Sequence, residues 1–260
     1  MSPVPVFMYH HVNPNAGDLV TVTPEVFEGQ MRCLRDGGYR SLTPDDLVAH
    51  LRGGAVPKKS VAVTFDDGWL DNYLFAFPVL KKYGVRATIF LVPDRVDRAS
   101  QGGREAGSSV PTHRESKELV RAGTPRRVVL NWDHIRKMAG SGLVEFFSHT
   151  MTHARCDTLS PDGLVSELRG SREAIEEKTG RPCRYICWPD GRTSLAAVEA
   201  AKQVGYHAAF TTKPGVVEAD DDPFDIRRIV VKDNVGWFER RVAVYTSPVL
   251  SKLYRMVKKA

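Results

Sequence analysis

The chain has 260 residues, 42% hydrophobic and 26% charged, proportions that suit one large α/β domain or two small ones with a real core. No run of 18 apolar residues occurs, which excludes a transmembrane helix, and no basic-then-apolar leader precedes the first strand. The formal net charge is +6, but residues 236–260 hold six Lys/Arg against the single acid Glu239, so the basic character belongs to the tail and not to a nucleic-acid-binding surface.

Seven short apolar runs read as strands: Val4–Tyr9, Val61–Phe65, Ala87–Val92, Val144–Ser148, Tyr185–Trp188, Ala208–Thr211 and Ile229–Val231. Several are almost continuously apolar, as parallel strands buried on both faces are. Between them lie helix starts of the hydroxyl–proline–acid kind, at Thr23-Pro24-Glu25, Thr43-Pro44-Asp45 and Ser160-Pro161-Asp162. Lys81-Lys82-Tyr83-Gly84, Met138-Ala139-Gly140 and Gln203-Val204-Gly205 read as helix ends. The alternation predicts a parallel β/α barrel or a doubly wound sheet. Residues 94–128 lack periodicity and read as a long functional or mobile loop. The four cysteines show no paired CxxC spacing and are expected to be reduced.

Chemistry is expected where strands end. Val61–Phe65 runs straight into Asp66-Asp67-Gly68, and two adjacent carboxylates there favour a cation or a shared proton. Val144–Phe147 runs into Ser148-His149-Thr150-Met151-Thr152-His153, in which histidines four apart would share one side of a helical turn and one metal ion. Two histidines and an aspartate leave coordination positions open, the pattern of a catalytic site. After the first strand, Tyr9-His10-His11 offers an imidazole able to donate a proton at neutral pH.

Together these segments resemble the polysaccharide deacetylase family, also called the NodB-homology or carbohydrate esterase 4 family. Thr64-Phe65-Asp66-Asp67-Gly68 is similar to its first motif and His149-Thr150-Met151-Thr152-His153 to its second. The resemblance implies a distorted (β/α)7 barrel over residues 1–235, with residues 236–260 a basic tail expected to be helical. It also implies one divalent metal ion, zinc by default, on Asp67, His149 and His153, with Asp66 as general base. Tyr9-His10-His11-Val12 resembles a branch similar to the poly-N-acetylglucosamine deacetylases, which gives His10 the general-acid role. The third motif departs from the family: Cys187-Trp188-Pro189-Asp190-Gly191 stands where Arg-x-Pro-Tyr-Gly is usual. Pro189, Asp190 and Trp132 are the expected substrate-binding residues.

The implied activity is metal-dependent removal of N-acetyl groups from an amino sugar in a glycan or lipid-linked saccharide. The alternative is a catalytically impaired, glycan-binding barrel, which Cys187 and Asp190 favour. No nucleic-acid partner is expected. Apolar residues at 250, 253, 254 and 257 would lie along one helical face, so the tail could rest on an anionic membrane surface. The protein is accordingly expected in the cytoplasm or at the inner membrane face.

Overall fold

The computed structural model describes residues 2–15, 17–101 and 110–259, with side chains as far as Leu253. Seven strands, β1 (Val4–Tyr9), β2 (Ser60–Phe65), β3 (Ala87–Leu91), β4 (Val144–Ser148), β5 (Tyr185–Cys187), β6 (Ala208–Pro214) and β7 (Ile226–Val230), pair in parallel. Their order is sequential, and β1 pairs with both β2 and β7, so the sheet closes on itself as a seven-stranded barrel. Every residue of β1, β2 and β3 is buried, which explains their unbroken apolar character. Short pairs extend the barrel: Val216–Val217 runs antiparallel to β1, Arg40–Ser41 parallel to β2, and His11–Val12 joins Thr21–Val22.

Around the barrel lie α1 (Pro24–Asp36), α2 (Pro44–Leu51), α3 (Phe77–Tyr83), α4 (Pro93–Ser100), α5 (His113–Arg121), α6 (Trp132–Gly140), α7 (Pro161–Thr179) and α8 (Leu195–Val204). Thr43 and Ser160 cap α2 and α7 ahead of prolines, and left-handed Gly84, Gly180 and Gly205 end α3, α7 and α8. Two expectations need correction. Residues 94–128 are not one irregular loop, for α5 and all of α4 but Pro93 lie inside them together with a 3₁₀ turn at Pro125–Arg127. The helix α5 escapes a periodicity search because Ser116 is its one fully buried residue, leaving no apolar stripe to read. The last strand also begins earlier than expected, at Ile226, because Arg227 and Arg228 interrupt its apolar run.

The chain ends in α9 (Val235–Tyr245) and α10 (Pro248–Lys259). Phe238 and Val242 of α9 are buried, and the Phe238 ring lies 4.5 Å from that of Phe7 in β1. No helix among the described residues is long and apolar enough to cross a membrane.

Candidate metal and active site

Barrel strands deliver their carboxyl ends to one face, and the site is assembled there. The Asp66 N–H donates to the Tyr9 carbonyl at 3.0 Å, extending the β1–β2 ladder one residue past β2. Asp67 then takes a left-handed conformation, φ 71°, followed by Gly68 at 67°. This turn breaks strand alternation, so that adjacent carboxylates serve one site instead of opposite faces. A side chain at Gly68 would sit 2.9 Å from Leu91 Cδ2, so the turn requires glycine for space as well as for conformation.

The second histidine pair reaches the site by a different route from the one the spacing suggested. The His149 N–H donates to the Leu91 carbonyl at 2.7 Å, extending the β3–β4 ladder. The segment that follows is not helical: Thr150 and His153 both have φ 65°. Two left-handed turns bring the rings of His149 and His153 to 4.9 Å, nearly perpendicular. Among the described residues six non-glycine positions have positive φ, and Asp67, Thr150, His153 and Asp190 are four of them. Strained backbone thus clusters at the strand ends that carry the expected chemistry.

One ligand atom from each of Asp67, His149 and His153 lies within 4.8 Å of the other two. His149 Nδ1 is 2.8 Å from the Cys187 carbonyl, which can only accept; Nδ1 therefore carries the proton and Nε2 is free to bind a cation. Burial is the largest influence on His149 and lowers its pKa to about 4, keeping it neutral as a metal ligand must be. Asp67 accepts from Arg95 Nη1 at 3.0 Å and lies 3.3 Å from His153 Nε2. Burial opposes its ionisation, but the charges of His153 and Arg95 hold it well below the usual carboxylate range. The donor set fits a divalent cation of the zinc type. Asp66, His149 and Cys187 form a second close group. It suits a cation poorly, because Arg228 already neutralises Asp66 and burial pushes the Cys187 thiol well above its ordinary value.

The partner of Asp66 is the residue that sequence reasoning missed. Arg228, on β7 and fully buried, donates from Nη1 to Oδ1 at 2.7 Å and from Nη2 to Oδ2 at 2.8 Å. Its Nε donates to the Thr211 carbonyl at 2.8 Å, and Nη1 also reaches Thr64 Oγ1 at 3.2 Å, fixing the plane of the fork. Cys187 Sγ packs against this pair, 2.9 Å from Arg228 Nη2 and 3.7 Å from each Asp66 oxygen. The orienting arginine that position 187 lacks is replaced from across the barrel. Its sequence signal was an arginine directly before the apolar run Ile229-Val230-Val231. Burial alone would raise the Asp66 pKa, but Arg228 outweighs it and brings the pKa to about 2.

His10 Nε2 lies 3.8 Å from Asp66 Oδ2, with the ring partly exposed. His11 turns away, and its Nδ1 meets Asp71 Oδ2 at 2.6 Å. Pro189 is buried in a 3₁₀ turn, and Asp190 is exposed with φ 55°. Trp132 stands apart: it is buried, its Nε1–H donates to Asp97 Oδ1 at 2.7 Å, and it lines a groove with Leu70, Tyr73 and His134 that none of the metal-site residues enters.

Comparison with known proteins agrees with this geometry. Residues 53–209 match the family model for polysaccharide deacetylase. The chain is 31% identical over 234 residues to YxkH of Bacillus subtilis, named as a polysaccharide deacetylase, covering 90% of this chain and 73% of that protein. It is 25% identical to the poly-beta-1,6-N-acetyl-D-glucosamine N-deacetylase of Escherichia coli, covering 87% of this chain but 36% of that longer protein. Among solved structures, BC0361, a polysaccharide deacetylase from Bacillus cereus, superposes with a TM-score of 0.72 at 29% identity, covering 92% of this chain and 69% of that one. The Streptococcus pyogenes deacetylase PplD shares the fold at a TM-score of 0.76 and 23% identity, covering 95% and 99%. A closed seven-stranded barrel, the Asp-Asp-Gly and His-x-x-x-His segments at its mouth, and a family match over more than half the chain together establish that this chain belongs to the polysaccharide deacetylase family.

Proposed function

We propose that the chain is a metal-dependent hydrolase that removes N-acetyl groups from an amino sugar of a glycan or lipid-linked saccharide. The observation that carries this reading is the convergence of an arginine-clamped Asp66, a facing His10 and the Asp67–His149–His153 donor set. When bound by those three residues, a divalent ion, zinc by default, supplies a lowered pKa for the attacking water and polarises the acetyl carbonyl. Asp66, which Arg228 favours in its ionised form, accepts the water's proton on a carboxylate oxygen. Arg228 keeps both oxygens in one orientation while this occurs. His10 delivers a proton to the leaving amine, and Asp66 Oδ2, 3.8 Å away, is the group from which it regains one. Pro189 has no N–H, so the main-chain donor toward the developing oxyanion is assigned to Asp190. Trp132, with its indole N–H already engaged, acts from the neighbouring groove or as support for it.

The impaired-barrel alternative rested on Cys187 and Asp190, and Arg228 removes the first of those grounds by orienting the base without an arginine at 187. The proposed division leaves residues 1–235 as catalytic domain and 236–260 as tail, with α9 starting at the boundary. On α10, exposed Val249, Leu250 and Leu253 stand beside Lys252, while Ser251 is buried. This arrangement supports peripheral contact with the anionic inner membrane face, where lipid-linked sugars would be within reach. Acetate release from N-acetylated oligosaccharides, measured with the metal-loaded protein, tests the assignment.

A further inference from the structure

A buried hydrogen-bonded chain that the catalytic reading does not use runs from the barrel to α5. Asp71 Oδ2 lies 2.6 Å from His11 Nδ1, and His11 Nε2 lies 3.0 Å from His113 Nδ1. His11 is nearly inaccessible and stacks on Trp69 at 4.5 Å, in the turn that follows Asp66-Asp67-Gly68. Asn13 Nδ2 donates to the Pro111 carbonyl at 2.8 Å and Asn15 Nδ2 to the Val110 carbonyl at 2.6 Å. Asn72 Nδ2 donates to the His10 carbonyl at 2.8 Å. The segment that presents His10 and the start of α5 are therefore held by one network, on the face of the barrel where the site lies.

The Asp71 carboxylate accepts, so His11 Nδ1 carries a proton, and the far side of the His11 ring is hydrogen-bonded to His113 Nδ1. Whichever ring donates, that bond occupies His113 Nδ1 and leaves Nε2 held in place and, among the described residues, without a hydrogen-bond partner. His113 is only partly buried, and Asp67 is among the charges that act on it, within electrostatic reach of the metal-binding residues. A rigidly oriented ring nitrogen beside a carbohydrate site is matched by a sugar hydroxyl, which both donates and accepts.

We infer that His113 is a substrate-contact residue, its Nε2 hydrogen-bonding a hydroxyl of a sugar unit bound at the mouth, and that the Asp71–His11 pair holds its ring in the required position. The inference rests on the deacetylase reading for its ligand class. It is tested with His113→Asn and His113→Ala. The asparagine amide places either its N–H or its oxygen where histidine has Nδ1, so it keeps the bond to His11 and removes only Nε2, whereas alanine removes both. Binding of a β-linked N-acetylglucosamine pentasaccharide to the zinc-loaded protein is measured by calorimetry, alongside KM and kcat for acetate release. The expected result is that both variants bind about 10-fold more weakly and show a raised KM with kcat within about 2-fold. Binding by His113→Asn equal to the wild type, with loss confined to His113→Ala, would reduce His113 to a bolt for α5 and overturn the inference. Wild-type binding without acetate release would defeat the deacetylase reading while leaving the binding comparison decisive. Failure of the wild type to bind would overturn both.

Discussion

Replacing Arg228 with methionine should expose how much of the site's stability is electrostatic. The substitution keeps most of the side-chain length but leaves Asp66 buried without its countercharge. Asp66 titrates at about 2 in the folded chain against an ordinary value of 3.8. At 1.36 kcal/mol per pKa unit, that difference is worth about 2 kcal/mol of stability. Because the folded value is depressed, this contribution is fully present above pH 4 and is lost as the pH falls from about 4 toward 2. In the variant, burial dominates and the Asp66 pKa rises above 3.8, so ionised Asp66 destabilises the fold at neutral pH. Breaking a buried pair typically costs about 3–5 kcal/mol, and that is the deficit expected at pH 7. Part of it comes from the lost bonds to Thr211 and Thr64, which do not depend on pH and cancel when two pH values are compared. Urea unfolding at pH 7.0 and 4.5 should therefore show a deficit that narrows at the lower pH by at least about 1 kcal/mol. The acid limb of kcat/KM should move upward in parallel. A deficit equal at both pH values within about 0.5 kcal/mol, with an unmoved acid limb, would refute the claim that Arg228 acts by holding Asp66 ionised.

Three further outcomes are expected. His149→Ala and His153→Ala should each reduce zinc content from near one ion per chain to a small fraction by elemental analysis, whereas His10→Ala should retain it; equal content in all three would remove the pair from the ligand set. Cys187→Ala should cost about 1 kcal/mol from the small cavity left beside Asp66, yet keep acetate release within a few-fold, because Arg228 and not the thiol orients the base. A chain ending at Ser247 should sediment less with anionic vesicles than the full chain and equally with neutral ones; equal sedimentation with anionic vesicles would rule out docking through α10.

The sequence shows the barrel clearly because fully buried parallel strands leave unbroken apolar runs, and six of the seven begin within a residue of the start their pattern predicts. The exception, β7, is instructive. Its outer turn of sequence carries Arg227 and Arg228, and a charge inside a strand argues against burial unless its partner is known. That partner, Asp66, lies 162 positions away, so the strand start and the orienting arginine were hidden by the same long-range pair. Asp67, His149 and His153 were legible as neighbours through motif spacing, although the backbone joining the two histidines is a pair of left-handed turns, which spacing alone does not distinguish from a helical turn. The start of α5 was readable in principle, for Thr112 and Glu115 form a capping box. Without an apolar face to follow it, that signal was too short to separate a helix from a loop, and His113 went unnoticed with it.

In the proposed reaction Asp66 moves the proton in hydrolysis of an N-acetyl group while Asp67, His149 and His153 hold the metal. Acetate release from N-acetylglucosamine oligomers by wild type and Asp66→Asn, at matched zinc content, tests it most directly. Measurable release by the wild type is expected, with a loss on the order of 100- to 10,000-fold in the variant with zinc retained. Release by Asp66→Asn within a few-fold of the wild type would contradict it.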